Sequence, residues 1–269
     1  MLVVSVCSLK GGVGKTSVVL GLASAALSKG VPTLVVDLDP QADATTGLDV
    51  AVHQELHIGD VLTSPRRRVV EESIAQSGWS EDRPGLLDVM RGSSEVAHLD
   101  GRASERSLFR LTEALEFVEG YRLVLVDCPP SLGALTRSGL VAAHRVVVVT
   151  EPALFSVTAA DRALRAVHEI RQTVAPEVQP LGVLINRYRE RSPEHRYRLT
   201  ELSEMFGPLV LSPPIPERSA LQQAQGASRP VHSWPGSAAQ ELSRIFESHL
   251  GRLLRSSTRT RRKVTAPTR

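Results

Sequence analysis

The sequence predicts an α/β protein with a doubly wound, mostly parallel sheet flanked by helices. Short β-branched runs alternate with longer segments of helical period, the pattern of parallel strands joined by crossover helices. The runs are continuously apolar rather than alternating, so both sheet faces must be covered. A glycine-rich stretch, "SLKGGVGKTSVV" at residues 8 to 19, stands between the first run and the first helical segment. That is the edge at which open α/β sheets bind ligands.

Taken in order, strands are expected at 2–8 (LVVSVCS), 33–39 (TLVVDLD), 85–90 (GLLDVM), 122–128 (RLVLVDC), 145–151 (RVVVVTE) and 179–186 (QPLGVLIN), with a short one at 208–212 (PLVLS). Helices fit 15–29, 104–119, 133–143, 157–174, 195–206, 218–226 and 236–254. Residues 51–84, with "RRR" at 66–68, have mixed composition and no clear period, and no element is assigned there. A single domain is expected over 1–255, followed by a flexible basic tail at 256–269, "SSTRTRRKVTAPTR".

At 269 residues with 42% hydrophobic content, the chain is long enough for one sizeable core and is neither disordered nor collagen-like. No apolar run reaches the roughly 18 to 20 residues that cross a bilayer, and the N-terminus has no secretory pattern. A cytoplasmic location is expected. The two cysteines, Cys7 and Cys128, have no metal-binding spacing and are read as core residues at strand ends. The net charge of +3 is uneven: residues 186–269 carry 15 Lys and Arg against 7 Asp and Glu, net +8, and the rest 17 against 22, net −5. The basic third is either a solvated face or a surface for an anionic polymer.

The loop fits K-G-G-x-G-K-[ST] rather than the standard eight-residue phosphate loop. Gly11, Gly12 and Gly14, with Val13 between them, allow backbone N–H groups to approach phosphates, and the helix N-terminus adds a favourable dipole. Lys15 would neutralise β/γ-phosphate charge, Thr16 would ligate Mg²⁺ and Ser17 follows in the same turn. Lys10 precedes the glycines and is poorly placed to duplicate Lys15 from its own subunit. It could reach a phosphate bound by a second subunit, as an arginine finger does.

The loop resembles the deviant Walker A motif of the ParA/MinD superfamily, whose members form nucleotide-sandwich dimers with a signature lysine crossing the interface. The resemblance runs over residues 2–254 and implies a P-loop ATPase that uses ATP and Mg²⁺. "LVVDLDPQADATTGL" (34–48) looks like the second acidic motif, implying that Asp39 positions the attacking water and Asp37 helps organise the Mg²⁺ site. "LVLVDCPPSLG" (123–133) looks like Walker B, with Asp127 holding Mg²⁺ through water. Asn186 matches the position whose amide reads adenine, and Pro214, Ile215 and Pro216 match a late loop packed near the base.

The short Soj/ParA-like branch fits best. No helix-turn-helix extension precedes the loop, the cysteines of iron–sulfur branches are absent, and three tyrosines do not make a tyrosine-kinase cluster. The resemblance implies an ATP-bound homodimer on nonspecific double-stranded DNA, associated with the nucleoid, and released when a ParB-like or other partner stimulates hydrolysis. Candidate phosphate contacts are Arg187, Arg189, Arg191, Arg218, Arg229, Arg252 and Arg255, with Arg259, Arg261, Arg262 and Lys263 beyond. Ser17 replaces a common second Thr, and "PERSALQQA" replaces the usual Arg-Leu-Ser-Glu-Ala stretch, which leaves open which arginine inherits the DNA role. The alternative is a MinD-like membrane-associated ATPase. Leu242, Ile245, Phe246, His249, Leu250 and Leu253 form one helical stripe that either packs on the sheet or meets lipid.

Overall fold

The computed structural model describes residues 1–51, 56–101 and 104–261, with side chains through Ser257. In chain order the strands are β1 (Leu2–Cys7), β2 (Thr33–Asp37), β3 (Ile74–Gln76), β4 (Leu87–Met90), β5 (Leu123–Asp127), β6 (Arg145–Thr150), β7 (Gln179–Ile185) and β8 (Val210–Leu211). The helices are α1 (Lys15–Ser28), α2 (Asp43–Gly47), α3 (Ile58–Thr63), α4 (Arg67–Ser73), α5 (Glu105–Leu108), α6 (Arg110–Leu115), α7 (Ala134–Val141), α8 (Leu154–Thr173), α9 (Pro193–Phe206), α10 (Ser219–Gly226) and α11 (Ser237–Arg261). The sheet order is β3-β4-β2-β5-β1-β6-β7-β8. Every pairing is parallel except β3 with β4.

The doubly wound expectation holds, and strand alternation explains it. Along β1, Leu2, Val4 and Val6 enter one apolar cluster with α1, α10 and α11, while Val3 and Cys7 enter the other with α3, α6, α7 and α8. Period-two side-chain alternation thus feeds two cores from one continuously apolar strand. Cys7 and Cys128 are free and buried. Burial pushes the Cys7 thiol up to about 12 and raises Cys128 as well, so neither is a nucleophile.

Three expectations are corrected. Residues 51–84 are not featureless: α3, α4 and β3 lie there, although 52–55 fall outside the described residues. These are helices of 6 and 7 residues and a strand of 3, too short to display a full period. The helix expected over 104–119 is two short ones, α5 and α6, with Phe109 between them. The tail does not begin at residue 256, because α11 continues through Arg261. Residues 262–269, including Arg262 and Lys263, and the side chains of Arg259 and Arg261 lie outside the described residues.

The apolar stripe of α11 faces inward. Leu242, Phe246, His249, Leu250 and Leu253 are buried, and Ile245 packs partly against the same cluster. Phe246 closes against Gly21 of α1, where an added Cβ would lie 2.2 Å from the ring. Among the described residues no helix is long and apolar enough to cross a membrane.

Candidate nucleotide site

β1 lies between β5 and β6, so the loop after β1 opens where successive connections diverge to opposite sides of the sheet. The carboxyl ends of β1, β2, β5, β6 and β7 deliver Lys10, Asp37 and Asp39, Asp127, Glu151 and Asn186 to one edge.

The loop has the form of an anion cradle. Gly14 caps α1 with φ 84° and no side-chain cap, leaving the first-turn N–H groups without a side-chain acceptor. A Cβ at Gly14 would lie 2.4 Å from Asn186 Nδ2, and one at Gly11 or Gly12 would meet nothing within 4 Å. Open space thus lies beside the first glycines and none beside the third. Lys15 is 6% exposed, and its ammonium makes no ion pair or hydrogen bond among the described residues, although its charge is felt at Asp127 and Cys7. A largely enclosed ammonium at the start of α1 with no direct partner is suited to an anion.

Below the loop lie the carboxylates. Thr16 Oγ1 donates to Asp127 Oδ2 at 2.7 Å, while the buried Oδ1 of Asp127 has no partner. Asp37 stands beside Asp127 in register on β2. Its Oδ2 accepts from Thr45 N and Oγ1, both at 2.8 Å, and its Oδ1 accepts from Asp39 N at 3.3 Å. Thr45 Oγ1 in turn accepts from Gly92 N at 2.8 Å, which fixes it against the β4 end. Burial is the first cause raising Asp37 to about 6 and Asp127 well above the carboxylate range, with Asp37 next for Asp127. The orphaned Asp127 oxygen and the hydroxyl of Thr16 fit a hard cation, which takes oxygen ligands. Asp39 is 8% exposed and its Oδ1 accepts from Gln41 N at 3.0 Å.

Asn186 and the late loop close the other side. Asn186 Nδ2 donates to the Val13 carbonyl at 2.8 Å, so its amide nitrogen braces the phosphate loop. Ile215 is fully buried, donating to Ile185 O at 2.8 Å and accepting from Tyr188 N at 2.9 Å, with Pro214 and Pro216 partly exposed on either side. Ser17 Oγ donates to Gln225 Oε1 of α10 at 3.2 Å.

Lys10 stands apart from this pocket. Its Nζ pairs with Glu151 Oε1 and donates to Ser156 Oγ at 3.1 Å. Sequence reasoning missed both partners. Glu151 carried a usable signal, a carboxylate at the end of an apolar strand, whereas nothing in the sequence ties Ser156 to a loop 146 positions earlier.

The arginines divide into two sets. Arg189 pairs with Glu217, and Arg218 makes a two-pronged pair with Glu241 at 2.8 and 3.1 Å. Arg187, Arg191, Arg229 and Arg252 make no ion pair among the described residues, and Arg187 adopts φ 55° directly after Asn186. Arg255 is exposed on α11.

Residues 1–180 match the AAA_31 family model, described as an AAA domain. The chain therefore belongs to this family, as a ParA/Soj-like member of the deviant Walker A ATPases. It is 28% identical over 236 residues to the chromosome partitioning protein ParA of Caulobacter vibrioides, covering 85% of each chain. It is 29% identical over 252 residues to the chromosome-partitioning ATPase Soj of Thermus thermophilus, covering 93% of this chain and 96% of that one. Among solved structures it resembles cobyrinic acid a,c-diamide synthase of Mycobacterium smegmatis with bound ADP and magnesium. That match has TM-score 0.72, 26% identity and coverage of 86% of this chain and 97% of that one. An ATP complex of a Cyanothece McdA variant shares the fold, with TM-score 0.81, 17% identity and coverage of 100% and 99%.

Proposed function

We propose that this chain is an Mg²⁺-dependent ATPase that dimerises on ATP, binds nonspecific duplex DNA in that state, and lets go after hydrolysis. Its role would be to segregate DNA or place another large cargo, with a partner protein accelerating hydrolysis. The observation that carries this reading is the division of labour between two lysines of one loop: Lys15 is largely enclosed in the cradle with no direct ion pair or side-chain hydrogen bond among the described residues, and Lys10 lies outside it, paired with Glu151.

Each residue then has a role its position supports. Lys15 and the first-turn N–H groups of α1 bind and orient the phosphates. Thr16 and Asp127 hold Mg²⁺, with Asp37 held by Thr45 beside them. The cation, when bound, screens charge that develops on the phosphates. Asp39 orients the attacking water. Asn186 keeps the loop closed and offers its amide oxygen toward the base, with Ile215 and its flanking prolines beside it. Lys10 serves the phosphate of the opposite copy. The burial of the α11 stripe supports DNA rather than lipid as the anionic surface.

The test is light scattering with and without ATP–Mg²⁺. Wild type should double in mass with ATP and stay monomeric with ADP, Lys15→Ala should remain monomeric in both, and Asp39→Ala should dimerise without turning over. ATP-dependent dimerisation of Lys15→Ala would refute the assignment of the loop.

A further inference from the structure

We infer that Gln225 of α10 is a positioning residue for the nucleotide site: its amide sets the direction in which the Ser17 hydroxyl donates, and so whether that hydroxyl can serve a phosphate in the cradle. This rests on the reading of the glycine loop and the start of α1 as a phosphate site. Nothing in the sequence joins the two residues, which lie 208 positions apart.

Ser17 stands at the cradle. It lies in the first turn of α1, and its Oγ is 3.6 Å from where a Cβ on Gly14 would sit. Its hydroxyl donates to Gln225 Oε1 at 3.2 Å. The other end of that amide is unsatisfied: Gln225 Nε2 is buried and has no hydrogen-bond partner among the described residues. Gln225 also lines a cleft with Leu20, Gly21, Leu221, Ala224 and Val231 that is too narrow for a water molecule. A buried amide nitrogen left in this way costs stability, and a native fold keeps such a group where it serves something else.

The chemistry of the pair decides what that is. A hydroxyl has one proton, and ionised phosphate oxygens only accept. While Ser17 donates to Gln225 Oε1, it has nothing to donate to a phosphate. A half-turn of the terminal amide exchanges its two ends. Nε2 then donates to Ser17 Oγ, the hydroxyl proton is released toward the loop, and the amide nitrogen gains the partner it lacks. The end left over is a carbonyl, a group more often left under-satisfied than an N–H. At 3.2 Å the bond given up is long for O–H···O, so little is lost by exchanging it. A phosphate in the cradle favours the turned amide, because amide, hydroxyl and anion then form one chain of donors running in a single direction, each bond strengthening the next. Lys15 and the backbone N–H groups can only donate, whereas the direction of Ser17 has to be set, and Gln225 sets it.

The experiment is calorimetric titration of the full chain with ADP–Mg²⁺, alongside urea unfolding without nucleotide, for wild type, Gln225→Met, Ser17→Ala and the double variant. Methionine is close to glutamine in length and volume and has no amide. Gln225→Met should bind ADP about three- to tenfold more weakly, the scale of one hydrogen bond, while its stability without nucleotide equals or exceeds that of wild type because the unpaired nitrogen is gone. A purely structural glutamine would lose stability and keep its affinity. Ser17→Ala should lose affinity by a similar factor, and the double variant should bind no more weakly than Ser17→Ala, because without the hydroxyl the amide has nothing to direct. Wild-type affinity in Gln225→Met or in Ser17→Ala, or losses that multiply in the double variant, would overturn the role of Gln225 while ADP binding by the wild type keeps the nucleotide site in place. A wild type that does not bind ADP would overturn the site itself.

Discussion

Asn186 Nδ2 donates to the Val13 carbonyl at 2.8 Å, joining the end of β7 to the phosphate loop across 173 positions of sequence. The bond is buried, and the same nitrogen would lie 2.4 Å from a Cβ at Gly14, so loop and amide fit each other closely. Asn186→Ala leaves the Val13 carbonyl without that donor, a loss on the order of 1–3 kcal/mol for a buried group. Because the defect lies in the loop, affinity should fall for inorganic tripolyphosphate as well as for ATP. Calorimetric titration of both ligands checks this; loss confined to ATP would reduce Asn186 to a base-reading residue.

Gly21 faces Phe246 so closely that a Cβ would lie 2.2, 2.3 and 2.5 Å from three ring carbons. Phe246 is fully buried and cannot swing into solvent. Gly21→Ala should therefore destabilise the fold by about 1–3 kcal/mol or more through overpacking of α1 against α11, and Phe246→Ala by about 3–5 kcal/mol through a cavity. Urea unfolding gives both numbers. Wild-type stability in Phe246→Ala would mean that α11 is not part of the core.

The folded pKa of Asp37, raised to about 6 by burial, lies above its unfolded value. Its protonated form therefore favours the fold: that contribution is full below about pH 4 and is lost as pH rises through about 6. Asp127 is shifted in the same direction. A cation bound there holds both groups ionised, so the part of ADP stabilisation that depends on Mg²⁺ should be large at pH 7.5 and shrink as pH falls through 6. Thermal melts with ADP, with and without Mg²⁺, across this range test it; a pH-independent increment would place the cation elsewhere.

Arg218 is held by both oxygens of Glu241, whereas Arg187 and Arg191 are exposed beside the β7 end. Arg187→Ala and Arg191→Ala should each weaken duplex DNA binding and lower the slope of log affinity against log salt by about 1. Arg218→Ala should leave that slope unchanged and lower stability by less than about 1 kcal/mol, the scale of an exposed pair. A reduced salt slope in Arg218→Ala would show that its ion pair opens on DNA.

The sheet and the nucleotide loop were legible because their signals are local. Continuous apolar runs marked β1, β2, β5, β6 and β7, the glycine loop between β1 and α1 singled out Lys15 and Thr16, and resemblance to Walker B singled out Asp127. What stayed hidden depends on contacts between distant residues. Thr45 and Gly92 fix Asp37, Glu151 and Ser156 hold Lys10, and Glu241 restrains Arg218, yet none of these pairs has a sequence spacing of its own. β3 is 3 residues long and exists by pairing antiparallel with β4, so its own composition could not announce it.

The most direct measurement is binding of random-sequence duplex DNA at moderate salt, in ATP–Mg²⁺ and in ADP–Mg²⁺, for wild type and Lys15→Ala. The expected result is wild-type binding that requires ATP, weakens steeply with salt and is abolished by Lys15→Ala. Equal binding in ATP and ADP, or none in either, would contradict an ATP-gated DNA-binding switch.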